Sequence, residues 1–229
     1  MSGTGETLDR ARTRAASAAP SPAATPSPLL IIACGALSHE IVALKRLNGW
    51  EHVVVQCLAA DLHNRPALIP EAVREKIARA RPHFERMFVA YADCGTGGLL
   101  DEVLRDEGVE RLPGAHCYEF FAGSRRFAAL SDEQPGTLYL TDFLARHFDR
   151  LIIHGLGIDR HPELQGEYFR HYHRVVYLAQ NPTDELKQRA RAAADRLNLE
   201  YQFVPTGYGE LAVSLRRLNA PRNETTPAC

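Results

Sequence analysis

Five cysteines punctuate the 229-residue sequence, and three of them sit where a strand would hand the chain to a turn or a helix. Cys94 follows Tyr91-Ala92-Asp93 and the apolar run Met87-Phe88-Val89-Ala90, and it precedes Gly95-Thr96-Gly97-Gly98. Cys34 lies in Ile32-Ala33-Cys34-Gly35-Ala36, and Cys117 in Ala115-His116-Cys117-Tyr118-Glu119. The carboxyl end of a strand, beside a glycine turn, is where open α/β folds place their ligands. A thiolate is a soft, strongly donating ligand, so three thiols on separate loops at one sheet edge suit a metal ion. Their spacing, 60 residues from Cys34 to Cys94 and 23 from Cys94 to Cys117, matches no compact zinc-finger or ferredoxin pattern. The fold would have to assemble the site. It would hold either an iron–sulfur cluster on three cysteines with one iron open as a Lewis acid, or a three-thiolate zinc ion whose fourth position falls to Glu119 or Cys57.

Other residues near these thiols could move protons or hold a substrate. Asp93 and Glu119 flank Cys94 and Cys117 and are acid/base candidates, because a desolvated carboxyl has a raised pKa. His63 and His161 stand in polar, proline-containing loops, the former being the better placed acid/base group. Arg65 could clamp a carboxylate or phosphate with its planar fork. Gly95, Thr96 and Gly97 could present backbone N–H groups to an anionic substrate at the start of the following helix. A helix N-terminus next to Cys34 and Cys94 would favour thiolate over thiol, which also admits Cys94 as a lone nucleophile. Against each reading stands a plain one: a cysteine that merely packs, above all Cys57 within its strand, a turn carboxylate at Asp93, or an ion pair at Arg65. Nucleotide fingerprints are missing. Leu100 stands where G-x-G-x-x-G needs its last glycine after Gly95 and Gly97, and Arg160 does so after Gly155 and Gly157. No G-x-S-x-G element is present.

The elements that must position these residues follow from periodicity. Leu29-Leu30-Ile31-Ile32-Ala33 reads as a strand buried on both faces, followed by a helix with Leu37, Ile41, Leu44 and Leu47 inward. His52 to Leu58 is a second strand, Ile69, Val73 and Ile77 mark a helix, and Leu99, Leu100, Val103 and Leu104 mark the helix after Cys94. Beyond Pro113-Gly114 the pattern is less regular, with a short helix from Cys117, a helix start at Thr141-Asp142, and an ambiguous Leu151 to Gly157. Val175 to Ala179 is a buried strand, and Asn181-Pro182 opens a helix through Leu186, Ala190, Ala193 and Leu197. A last strand, Leu199 to Pro205, and a helix with Leu211, Leu215 and Leu218 close the pattern. Repeated strand–helix units imply an α/β fold, a mainly parallel sheet with helices on both faces in Rossmann-like three-layer units. The expected organisation is a disordered tail over 1–28, a single α/β domain or two apposed lobes over 29–219, and a flexible tail over 220–229 that includes Cys229.

A formal net charge of -1 and a pI near 6.8 give no global case for nucleic acid or an anionic membrane. No apolar run approaches the roughly 18 to 20 residues of a membrane span. The first 27 residues, despite Arg10, Arg12 and Arg14, lack the apolar centre of a secretory signal. A cytoplasmic protein with reduced thiols is expected.

Five segments together resemble a family, the domain-of-unknown-function family 1638. They are Ala33 to Leu37, Leu62-His63-Asn64-Arg65-Pro66, Asp93 to Gly98, His116 to Gly123, and Gly155 to Glu163. The resemblance extends from about Leu29 to Leu211 and names no activity. Beyond the family itself it implies company with corrinoid-dependent methyltransferase systems. The expectation is a metal- or iron–sulfur-binding protein, or an enzyme acting on a small polar or anionic substrate through that site. The alternatives are an accessory protein delivering metal or cofactor to a partner enzyme, and a thiol enzyme using Cys94.

Overall fold

The computed structural model describes residues 27–220, so the expected tails, and Cys229 with them, lie almost wholly outside the described residues. The first half of the chain builds β1 (Leu29–Cys34), a 3-10 turn at Gly35–Leu37, α1 (Ser38–Leu47), β2 (Val53–Leu58), α2 (Ile69–Ala80), β3 (Arg86–Ala90), α3 (Leu99–Glu107) and β4 (Glu110–Arg111). Two helices follow, α4 (Cys117–Ala122) and α5 (Ser124–Glu133). The second half contains β5 (Thr137–Leu140), α6 (Asp142–Arg146), a π-helical turn at Asp149–His154, α7 (Glu163–Phe169), β6 (Arg174–Ala179), α8 (Asp184–Leu197), β7 (Glu200–Pro205) and α9 (Gly209–Asn219). Among the described residues no helix is long and apolar enough to cross a membrane.

The fold is α/β with parallel strands throughout, divided between two sheets of order β2-β1-β3-β4 and β5-β6-β7. The central strands β1 and β6 are buried along their whole length, which is why their sequences read as continuous apolar runs. β2 is an edge strand with only Val53 fully buried, and Cys57, expected to pack within it, is exposed. Periodicity places most of the inward helix faces, including Ile69, Val73 and Ile77 on α2 and Leu186, Ala190, Ala193 and Leu197 on α8. It fails at helix ends: Leu47 in the last turn of α1 is 74% exposed and Leu99 in the first turn of α3 is 48% exposed.

Three other expectations change. The ambiguous stretch after Leu151 is a π-helical turn, a rare conformation that recurs at functional sites. It closes tightly, because a β-carbon on Gly155 would collide with the Leu151 carbonyl. The cap of α8 is Thr183, whose hydroxyl accepts from the Leu186 N–H, so Pro182 precedes the cap rather than following it. Helices α5 and α7 have no counterpart in the sequence reading, being short and only partly apolar.

α4 connects the two sheets. Its Phe120 and Phe121 belong to the core around β1, while Tyr118 and Ala122 pack on the smaller cluster of Leu130, Tyr139, Val176, Leu178 and Val204. The last helix also returns to the first half: Leu211, Ala212 and Leu215 of α9 join the β1 core, and His52 Nε2 meets Asn219 Oδ1 at 2.9 Å.

Candidate functional site

The order β2-β1-β3-β4 has its switch point between β1 and β3, where the chain leaves one strand to the left and the other to the right. Such a point opens a crevice at the carboxyl ends of the two strands. Cys34 is the last residue of β1, and Cys94 lies four residues beyond β3, which pairs with β1 through Ala33 and Ala90. Two backbone hydrogen bonds bring in the third thiol. Asp93 N–H donates to the Gly114 carbonyl at 3.1 Å and Cys94 N–H to the Ala115 carbonyl at 2.9 Å, laying the loop before α4 along the Cys94 turn. Cys117, the first residue of α4, thereby comes near Cys94, its N–H close enough to favour a thiolate there.

Cys34 and Cys117 both feel the charge of Cys94. Cys34 and Cys117 are each pushed up, first by burial and then by Cys94, and Cys117 by Cys34 as well. Cys34 reaches about 12 despite the Ala36 N–H donating to its sulfur at 3.3 Å. Cys94 is raised too, again chiefly by burial. The expected thiolate stabilisation by a helix N-terminus is therefore corrected. Cys34 caps a 3-10 turn that runs straight into α1, and α3 begins five residues after Cys94, yet desolvation outweighs the N–H donors. Cys94 has a further peculiarity, a left-handed backbone (φ 52°), which a side chain other than glycine adopts only under constraint.

His63 sits against this cluster. Its Nδ1 lies 3.2 Å from the Ala60 carbonyl and 3.6 Å from Cys34 Sγ, and the ring stacks on Tyr91 with centroids 6.1 Å apart. A carbonyl can only accept, so Nδ1 carries the proton and Nε2 keeps its lone pair. Burial lowers the His63 pKa, which keeps the ring neutral. His63 and Cys117 line a cavity of about 160 Å³ whose other walls come from Leu37, Tyr139, Phe143 and Ile152, so both halves of the chain enclose it. Tyr91 is fully buried, and its hydroxyl finds no partner of good hydrogen-bond geometry. It faces Cys34 closely enough to favour a thiolate there. The sequence reading passed over Tyr91, Tyr118 and Asn64; a hydroxyl inside the run before Cys94 is the signal that Tyr91 offered.

Several expected residues lie elsewhere or are already engaged. Asp93 accepts from the Thr96 hydroxyl at 2.6 Å and from Gly98 and Gly97 N–H at 2.9 and 3.2 Å. These bonds, Thr96 first, lower its pKa, so the expected raised carboxyl is corrected. They also occupy the loop amides that an anion would need, so Gly95, Thr96 and Gly97 wrap their own aspartate. Glu119 accepts from the Ala115 N–H at 3.1 Å and so braces the loop that holds Cys94. Arg65 is exposed beside an open cleft with Arg150 and Tyr168. His161 is exposed and pairs with Glu163 at 3.4 Å. Among the described residues no group of three or more His, Cys, Asp or Glu side chains is set out to hold a metal ion.

The fold is that of a parallel α/β protein with buried Cys34 and Cys94 and half-buried Cys117 near the switch point of its first sheet, beside a cavity that the second half helps to line. A family model described as "Protein of unknown function (DUF1638)" matches residues 57–215, more than half of the chain, and the chain belongs to that family. The match includes His63, Arg65, Cys94, Cys117 and Glu119, while Cys34 lies upstream of it. No match was found among curated proteins or among solved structures.

Proposed function

We propose that Cys34, Cys94 and Cys117 bind a thiophilic metal, as zinc or an iron–sulfur cluster, and that the adjoining cavity takes a small, partly apolar molecule. The observation that supports this reading is that Cys34, Cys94 and Cys117 come from three separate segments and that Cys94 lies near enough to raise the other two. The sulfur atoms are soft donors of the right chemistry, with neutral His63 beside Cys34, although among the described residues they are not set out as a ready-made ligand group. A bound metal would supply Lewis acidity, and His63 Nε2 would exchange a proton with the molecule in the cavity. Zinc would need all three sulfurs within about 2.3 Å, so binding would draw the loops inward. That requirement favours, as a second reading, a protein that holds metal transiently for a partner enzyme.

Anaerobic purification with metal analysis and a visible spectrum, followed by zinc and iron–sulfur reconstitution, tests the proposal. Stoichiometric metal in the wild type, lost when any one of the three cysteines becomes Ser, is expected. Protein that stays metal-free and colourless after reconstitution, with its three thiols alkylated independently, overturns it. Release of bound metal to an apo-acceptor without small-molecule turnover favours the delivery reading.

A further inference from the structure

A second cluster lies at the junction of the two halves, away from the thiols. Glu40 of α1 is 4% exposed, and its Oε2 is buried with no hydrogen-bond partner. A carboxylate taken out of water without a donor is costly, so this oxygen calls for one. Asp142, the first residue of α6 and 3% exposed, lines the same cleft as Glu40 from the other half of the chain. Its Oδ1 accepts from Tyr177 Oη at 2.7 Å and Gln180 N–H at 3.0 Å, and its Oδ2 from Asn181 N–H at 2.7 Å, which leaves Oδ2 one lone pair. Tyr208, just before α9, lines that cleft too. All three groups line one open cleft of about 610 Å³, whose rim carries Arg46, Arg146 and His39. Both arginines are exposed, and neither has a carboxylate partner among the described residues.

The cleft thus has an acidic floor short of one donor and a cationic rim with no anion on it. A metal ion suits it poorly, because only two carboxyls meet there and one already accepts three hydrogen bonds. A protonated amine suits the floor, with several N–H donors and a positive charge for Glu40 and the spare lone pair of Asp142. An anionic group on the same molecule suits the rim.

We infer that this cleft binds a small zwitterion, its ammonium group on Glu40 and Asp142 and its anionic group on Arg46 and Arg146. The ligand spans both halves of the chain, since Glu40 and Arg46 come from α1 and Asp142 and Arg146 from α6. Metal at the cysteines has no part in this cleft. Glu40 is raised to about 7, by burial first and then by Asp142, with Arg146 opposing. An ammonium arriving near pH 6 would therefore expel a proton from it.

Metal-free protein is titrated calorimetrically with γ-aminobutyrate, butylamine and butyrate at pH 6, in buffers of different ionisation heat. γ-Aminobutyrate is expected to bind at least tenfold tighter than either half-molecule, releasing close to one proton. Glu40→Gln should weaken it at least tenfold, with a native circular dichroism spectrum and a melting temperature no lower than wild type. Arg146→Ala should weaken γ-aminobutyrate several-fold more than it changes butylamine. Failure of folded wild type to bind γ-aminobutyrate at millimolar concentration overturns the inference. So does equal binding by Glu40→Gln, or butylamine or butyrate binding as tightly as the zwitterion.

Discussion

Cys34 shows how one residue can be legible in kind and illegible in state. Its position between an apolar run and a glycine marks a strand end, but no local pattern reports that the finished sheet and Tyr91 will bury it. The raised thiols make metal uptake strongly pH-dependent. Each thiol still protonated in the free protein must lose its proton on ligation, so three such thiols steepen the apparent affinity by about a thousandfold per pH unit near neutrality. A competition titration against a chelator of known affinity between pH 6.5 and 7.5 measures the slope; a slope near zero would exclude ligation by these three thiols. Tyr91 offers a separate prediction. Tyr91→Phe removes a buried hydroxyl without a good partner, so the metal-free protein should gain about 1 kcal/mol in chemical denaturation. The same change removes a donor to a Cys34 thiolate and should weaken metal binding by about tenfold. Loss of stability together with unchanged metal affinity would place the hydroxyl in a structural hydrogen bond instead.

Among the elements, α4 decides where Cys117 stands, and α4 is held by α9. Gly209 makes that contact feasible: its φ is 49°, and a β-carbon there would run into the Phe120 and Phe121 carbonyl oxygens. Gly209→Ala should therefore destabilise the protein by about 2 to 4 kcal/mol, combining left-handed strain with a backbone collision. Gly97 provides the control, since its φ is 64° with open space around the missing β-carbon, and Gly97→Ala should cost only about 1 to 2 kcal/mol. Urea denaturation of both variants measures the difference; equal losses would mean that α9 is free to shift off α4. Little of this was readable from the sequence. Long amphipathic helices such as α2 and α8 announce themselves by repeating a buried face, whereas six-residue α4 divides its side chains between two cores and so has no single inward stripe. For the same reason Gly209 reads only as a turn until α4 is seen beneath it.

At the scale of the whole molecule, the parallel α/β class was legible because β1 and β6 are buried on both faces, but the division into two sheets was not. Nothing in a strand's own sequence says which strand it will pair with, and Glu40 and Asp142, on helices from different halves, become neighbours only through that arrangement. Their meeting sets a pH dependence of stability. Glu40 titrates at about 7 in the folded protein against 4.5 as its ordinary value, so between these values the folded state binds more protons than the unfolded state. Stability from this group is full below about 4.5 and falls as pH rises through 7, a loss of about 3 kcal/mol at most. Other groups packed there do not reverse the sign, since Asp142 opposes ionisation of Glu40 and Arg146 favours it less strongly. His63 acts oppositely: its pKa is lowered, so the unfolded chain binds the extra proton below about 6.5, and stability from His63 rises with pH through that range. Comparing Glu40→Gln with wild type by denaturation at pH 5 and pH 8 isolates the carboxyl, because His63 is common to both. The variant should gain stability relative to wild type on going from pH 5 to pH 8, by up to about 3 kcal/mol. A constant difference across that range would mean that Glu40 ionises as readily in the folded protein as in the unfolded chain, and that its carboxyl is not buried without a partner.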